Sequence, residues 1–260
     1  MTLQTWAAGE SYEPYVGRWS RRVAVDFADW LAPPPGLRWL DVGCGTGALA
    51  STVIARARPA RVTGVDPSLG FVRHARTQLT GVGLAVADAT ALPAPDRTYD
   101  HVVSGLVLNF VPEPDRAVRE MRRVANTGGT VAAYVWDYAG RMQLMRYFWD
   151  AATRLDPTAA ELDEGRRFSI CQPDRLAALF QSAGVTNVDT RAIEVPTVFA
   201  DFDDYWTPFL GGQGPAPGYA MSLPPERRDR LREELRANLP AGSDGSIALV
   251  ARAWAVRGTA

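Results

Sequence analysis

Three acids and a run of glycines carry most of the chemistry this sequence can do. Leu40-Asp41-Val42-Gly43-Cys44-Gly45-Thr46-Gly47 follows the apolar run from Leu37 and precedes Ala48-Leu49-Ala50-Ser51-Thr52-Val53-Ile54-Ala55. That order reads as strand, glycine-rich turn, helix. Glycines let such a turn bend sharply and let a ligand touch bare backbone. The helix behind it offers free N–H groups and a positive dipole end. Gly43, Gly45 and Ala48 fit the G-x-G-x-x-G/A pattern of dinucleotide sites. Asp41, two residues before the first glycine, argues otherwise: its charge opposes a pyrophosphate and suits an ammonium or sulfonium ligand. Asp66 ends the next apolar run, Arg61 to Val65. A carboxylate there can accept from both ribose hydroxyls, or cap the helix that Pro67 and Ser68 open. Asp88-Ala89 follows a third run, Val82 to Ala87, where Asp88 is a ligand contact or a turn former.

The elements that must position these residues follow from periodicity. Val16, Trp19, Val23, Phe27 and Trp30 recur at three- and four-residue steps, predicting an N-terminal helix over 14–31 that Pro33-Pro34-Pro35-Gly36 stops. Trp6 and Tyr12, before it, show no periodicity. Helices are expected near 46–57, 68–79 and 113–125, the last ending in a break at Asn126 to Gly129. A fourth strand enters at Tyr99, and its end, Ser104-Gly105 to Asn109, faces the ligand crevice if the sheet is parallel. Thr130 to Trp136 is nearly all apolar, a strand buried on both faces, and delivers Trp136, Asp137 and Tyr138 to the same edge. Alternating strands and helices predict an α/β fold.

The second half is less regular. Met142, Met145, Phe148, Trp149, Ala152 and Leu155 form a helical stripe, read as core rather than binding surface. A helix is expected over 173–183 with Gly184 as its stop. Strands follow at 185–199, with Pro196 marking an edge, and at 246–256. Between them lies an insertion, 201–241. It opens with Phe202, Tyr205, Trp206 and Phe209, passes through a Gly/Pro loop over 211–218, and ends in a charged helix with Leu231, Leu235 and Leu239 on one face. Aromatics ahead of such a loop suit a substrate lid, with Trp206 in the acceptor site.

Composition bounds the partners. At 260 residues the chain is expected to be a single domain, 1–260. A hydrophobic share of 47%, a charged share of 22% and a net charge of −1 describe an ordinary globule without the basic footprint of a nucleic-acid binder. All 28 basic residues are arginine, which reads as coding bias. Cys44 and Cys171 form no C-x-x-C pair, and no acid/His cluster has ligand spacing, so neither disulfide nor metal is expected. No apolar leader or membrane span is evident, which predicts a cytoplasmic protein, monomer or homodimer, that meets no membrane.

The string Leu-Asp-Val-Gly-Cys-Gly-Thr-Gly closely resembles motif I of class I S-adenosylmethionine (SAM) dependent methyltransferases. The resemblance continues through Val62-Thr63-Gly64-Val65-Asp66-Pro67-Ser68, Val86-Ala87-Asp88-Ala89 and Tyr99-Asp100 to Val111-Pro112, and covers 36–136. It resembles above all the small-molecule, ubiquinone/menaquinone-biosynthesis-like members. It implies a Rossmann-like sheet of seven strands, mostly parallel, with helices on both faces, the N-terminal helix over the cofactor and one antiparallel strand. It implies SAM as cofactor and S-adenosylhomocysteine as product. The matching positions are Asp41, Gly43, Gly45, Gly47, Asp66, Pro67, Ser68, Asp88, Ala89, Ser104 and Gly105, with Asp88 accepting from the adenine amino group and the next backbone N–H meeting the ring. Tyr15 to Arg21 looks like the family's entry segment, which brings Arg18 to the methionine carboxylate. Related enzymes often carry His at or near Asn109, so one base is missing here.

The implied reaction is methyl transfer to a small aromatic or apolar acceptor, driven mainly by orientation. Of the two histidines, His101 sits at the start of its strand, remote from the crevice, and His74 lies along a helix. Asp137, Tyr138 and Asn109 remain as candidate catalytic groups, although Asp137 can also cap the next helix; Trp136 is a candidate acceptor contact. Two other classes stay open: a nicotinamide oxidoreductase sharing the first turn, and a catalytically silent SAM-binding module.

Overall fold

The computed structural model describes residues 13–212 and 214–260. Trp6, Tyr12 and Gln213 lie outside the described residues. Contacts gather the chain into two compact units. The first comprises 13–19, 137–169 and 194–252; the second comprises 20–136, 170–193 and 253–260.

A seven-stranded sheet runs in the order β3-β2-β1-β4-β5-β7-β6. Its strands are β1 (Arg38–Val42), β2 (Arg61–Asp66), β3 (Gly83–Val86), β4 (Tyr99–Gly105), β5 (Ala125–Trp136), β6 (Thr186–Phe199) and β7 (Ile247–Thr259). β1 pairs in parallel with β2 and with β4, β2 with β3, and β4 with β5; β7 runs antiparallel to β5. β1 thus has sequence-consecutive β2 on one side and β4 on the other. Open α/β sheets bind ligands at such a reversal of order, beyond the strands' carboxyl ends. β6 is an edge strand, which tolerates Pro196 and its missing donor.

In the second unit the helices are the rest of α1 (Arg18–Leu31), α2 (Ala48–Ala57), α3 (Leu69–Gln78), α4 (Pro114–Val124) and, after α5 and α6 of the first unit, α7 (Pro173–Ser182). Of the expected stripe, Trp19, Val23 and Phe27 of α1 and Val16 just ahead of it are buried, while Trp30 is only half-buried. Phe27 packs on Tyr134 of β5 at 4.7 Å, and Arg257 of β7 lies over the Trp30 ring at 4.4 Å while donating to the Trp30 carbonyl. The chain ahead of α1 forms a π-helical turn, Glu13–Gly17, instead of the expected α-helix. The break expected at Asn126 to Gly129 is part of β5. The ladder shifts register there, Asn126 donates to the Asp100 carboxylate at 2.6 Å, and Gly128 takes φ +78°, so the turn signals serve an irregular strand start.

The first unit contains α5 (Gln143–Leu155), α6 (Glu164–Arg167), α8 (Phe202–Trp206), α9 (Pro215–Ser222) and α10 (Pro225–Asn238). Met142, Met145, Phe148, Trp149 and Ala152 are buried core, but Leu155, at the end of the stripe, is exposed. Phe199, Phe202, Tyr205, Trp206 and Phe209 are likewise buried. The expected loop at Pro215 to Gly218 is instead the start of α9, because a proline in the first turn gives up only a donor that had no helical partner. Leu231, Leu235 and Leu239 face inward as read.

Candidate active site

The glycine turn leaves β1 at its carboxyl end. The Val65 carbonyl of β2 accepts from Gly43 N–H at 2.8 Å and Cys44 N–H at 2.9 Å, pinning the turn to the neighbouring strand. Gly43 has φ +75°, and a Cβ there would fall 2.5 Å from the Val107 side chain; only glycine fits. Gly45 has φ +51° and nothing within 4 Å of an added Cβ, so its backbone stands open. Gly47, at φ +92°, precedes α2 without any side-chain cap. The first N–H groups of that helix have no internal carbonyl partner. Cys44 is buried, and its side chain would meet a Cβ on Gly64 at 3.0 Å. It fills space under the turn, and burial pushes its thiol well up.

Asp66 braces this arrangement. One carboxylate oxygen accepts from Gly45 N–H at 3.0 Å, the other from Ser68 N–H at 2.8 Å. Asp66 is buried, and burial raises its pKa against the pull of those two donors. Ser68, not Asp66, caps α3: its hydroxyl accepts from Phe71 N–H at 3.3 Å. Pro67, between them, has no donor to place. A carboxylate has about four lone-pair sites, so Asp66 keeps acceptor capacity for a ligand.

Asp41 is different. It is 2% exposed, and neither carboxylate oxygen has a hydrogen-bond partner. Burial pushes its pKa up to about 7; the Ala50 backbone N–H, too far to count as a hydrogen bond, pulls it down, and the nearby Asp66 adds to the rise. A buried acid without a partner is costly unless something positive joins it. Asn109, in the short 3-10 turn Leu108–Phe110 after β4, is also buried with both amide atoms unpartnered. Ser104 is fully buried and donates from its hydroxyl to the Val42 carbonyl at 2.8 Å, tying β4 to β1. Gly105 must be small because a Cβ would meet the Tyr134 hydroxyl at 2.5 Å. Asp88 is exposed beyond β3. One of its oxygens holds Thr90 through N–H and hydroxyl, both at 2.8 Å, which lowers its pKa; Ala89 is buried.

These residues belong to one unit and gather at the carboxyl ends of β1 to β4. SAM fits them. An orphaned buried carboxylate suits a cation, an open glycine backbone suits close approach, and two further acids suit hydroxyl and amino groups. Trp136, buried at the end of β5, closes the same unit.

Four sequence candidates fall in the first unit. Arg18 donates from Nη1 to Asp204 at 3.0 Å and lies over the rings of Trp19 and Phe199 at 4.5 and 4.8 Å, with Nε and Nη2 buried and unpartnered. Asp137 accepts from Gly140 and Arg141 N–H and pairs with Arg252 at 2.7 Å, so it closes the turn before α5. Tyr138 packs on Phe168 at 5.6 Å. Trp206 is buried beside Phe209. His101 is buried and stacked on Trp39 at 4.4 Å, and burial lowers its pKa to about 4; His74 is half-exposed on α3. Tyr15, read from sequence only as the start of the entry segment, and Glu164, not singled out at all, are two further buried polar residues of the first unit. Glu164 sits in the charged string Asp163-Glu164-Gly165-Arg166-Arg167, which carries no sign of burial.

The chain is similar to known methyltransferases. Residues 40–133 match the family described as "Methyltransferase domain". A 2-methyl-6-phytyl-1,4-hydroquinone methyltransferase of Synechocystis sp. is 30% identical over 220 residues, covering 79% of this chain and 67% of that protein. A demethylmenaquinone methyltransferase of Roseiflexus castenholzii is 31% identical over 176 residues, covering 62% and 73%. In two other curated relatives the matched stretch spans only 44% and 47% of their length. Among solved structures, a Haemonchus contortus phosphoethanolamine N-methyltransferase 2, in complex with phosphomonomethylethanolamine and S-adenosylhomocysteine, superposes with a TM-score of 0.59 at 14% identity, covering 96% of this chain and 56% of that one; at that identity the likeness concerns the fold. With the motifs, the strand order and two relatives matched over most of their length, the chain belongs to the SAM-dependent methyltransferases.

Proposed function

We propose that this protein methylates a small aromatic acceptor of the hydroquinone type, using SAM. The observation that carries the cofactor reading is the buried Asp41 carboxylate, without a hydrogen-bond partner, on the strand that leads into the glycine turn. The acceptor class is supported by the names of the Synechocystis and Roseiflexus relatives and by the aromatic interior of the first unit.

When bound, SAM supplies a methyl group that is already electrophilic, so no covalent enzyme intermediate is needed. The chain's own residues then have to bind, orient and exclude water; orientation alone contributes roughly 7–11 kcal/mol in favourable cases. Asp41 offers an unpaired charge at the turn for a positive group, and a cation there relieves its unpaired burial. Asp66 holds hydroxyls with the lone pairs that Gly45 and Ser68 leave free, and Asp88 offers its second oxygen to an amino group. Asn109 can both donate and accept, and so orients a polar group without acting as a strong base. Asp137 is committed to its turn and to Arg252, and His101 is neutral and stacked, so positioning is the main catalytic device. The 201–241 segment serves as the acceptor-side wall of the first unit.

A release assay for S-adenosylhomocysteine across a panel of hydroquinones, catechols, amines and acyl carriers tests this. Turnover is expected with hydroquinones. Calorimetry that detects NAD but no SAM would sink the cofactor reading, and turnover confined to non-aromatic acceptors would sink the acceptor reading.

A further inference from the structure

The first unit holds a buried acid that cofactor binding does not use. Glu164, which opens α6, is 2% exposed. It is held from several sides. Asp163 caps α6 by accepting from Gly165 N–H at 2.8 Å, and Arg146 of α5 pairs with Asp163 at 2.6 Å. The indole N–H of Trp149 donates to one Glu164 oxygen. A Cβ on Gly165 would fall 2.7 Å from Arg146 Nη1 and 3.0 Å from the Tyr138 carbonyl, so the backbone passes where only glycine fits.

Tyr15 belongs to the same unit, is 2% exposed, and its hydroxyl has no hydrogen-bond partner. Burial chiefly raises the pKa of that hydroxyl, and Glu164, Tyr138 and Tyr205 lie near enough to raise it further. The surroundings are aromatic: Tyr15 meets Phe209 edge-on at 5.4 Å, Phe209 stacks on Phe148 at 4.5 Å, and Phe148 meets Trp149 at 5.2 Å. Packing alone does not favour this pair. An unsatisfied buried hydroxyl costs about 1–3 kcal/mol, and a phenylalanine would fill the same volume without it. A buried carboxylate costs more. Such groups are explained if a polar partner joins them.

Resting on the methyltransferase reading above, we propose that Tyr15 and Glu164 are positioning residues that recognise one hydroxyl of the aromatic acceptor: Tyr15 donates to its oxygen, and the Glu164 carboxylate accepts its O–H. Burial pushes Glu164 up to about 7, with Asp163 adding to the rise and Trp149, Arg146 and its own backbone N–H opposing it. The carboxylate is therefore fully charged only above neutral pH, and recognition strengthens with rising pH.

The probe is methylhydroquinone, compared with its dimethyl ether, which has the same ring and no donor. Titration calorimetry uses the full chain without cofactor, under reducing conditions, at pH 8 and pH 5.5. Wild type is expected to prefer the hydroquinone by about tenfold at pH 8, the scale of one hydrogen bond to a charged group, and by clearly less at pH 5.5. Tyr15→Phe and Glu164→Gln should each erase most of that preference, and Glu164→Gln should erase its pH dependence. No preference in wild type overturns the proposal, and that comparison needs no variant. A preference unchanged in both folded variants also overturns it, as does a Tyr15→Phe protein that melts higher with its preference intact. SAM binding, titrated separately, distinguishes the two readings. Its absence defeats the cofactor reading, whereas its presence without hydroquinone preference defeats only this one.

Discussion

Replacing Asp41 by asparagine should stabilise the cofactor-free protein while weakening SAM binding, and the stabilisation should depend on pH in a defined direction. Burial lifts the folded pKa to about 7 against an ordinary 3.8, which corresponds to about 4 kcal/mol as an upper bound. The sign follows from proton binding. Between these values the folded state holds a proton that the unfolded state has lost, so stability falls as pH rises from about 4 to about 7 and stays low above. The asparagine side chain carries no charge and escapes that loss, although its amide is itself buried, which leaves about 2 kcal/mol as the expected gain. For a chain of this size that is about 4–8 °C in melting temperature. Scanning calorimetry of wild type and Asp41→Asn at pH 8 and pH 5 reads this directly. The gain should appear at pH 8 and largely vanish at pH 5, where other titrating groups cancel in the difference. Saturating SAM should then stabilise wild type more than the variant, because the cation supplies the partner that Asp41 lacks. A variant less stable than wild type at pH 8, or a difference independent of pH, would refute the claim that Asp41 is buried as an unpaired acid.

Gly43→Ala and Gly45→Ala should separate fold from binding. The first forces a Cβ into Val107 and is expected to cost about 2–4 kcal/mol of stability, whereas the second meets open space and should cost about 1 kcal/mol while weakening SAM at least tenfold; denaturant titration and calorimetry measure both, and equal stability losses would contradict the geometry. His101→Ala should leave turnover within a few-fold once folding is checked, because the ring is buried and neutral at working pH; a drop of about 10²-fold in a stable variant, the scale of a lost acid or base, would show that it does chemistry. Trp206→Ala removes a buried ring and is expected to cost about 3–5 kcal/mol. If residues 201–241 form the acceptor wall, it also raises the acceptor KM in steady-state assays while SAM affinity is unchanged; parallel loss of both would make it a folding residue only.

The local parts of this protein are written in short stretches of chain. The strand, turn and helix around Gly43 follow from an apolar run, a glycine spacing and the helix behind it, and Asp41 in that string fixes the preferred ligand charge. The strand sequence of the cofactor half and the edge position of the strand holding Pro196 follow from two-residue and 3.6-residue periods and from the missing donor of proline. Tertiary structure decided whatever depends on partners distant in sequence. Asn126 and Gly128 signal a turn by type, yet they start β5 because Asp100 of the neighbouring strand supplies a partner. Arg18 meets Asp204, 186 residues away, and Asp137 meets Arg252, 115 residues away, so charges that look available along the chain are engaged in space. Glu164 reads as a solvated acid among arginines, and only the packing of Trp149 and Arg146 around α6 buries it. Periodicity and backbone propensity are set by near neighbours. Burial, ion pairing and the pKa of an acid are set by whichever atoms the fold brings alongside, and a single sequence does not record those.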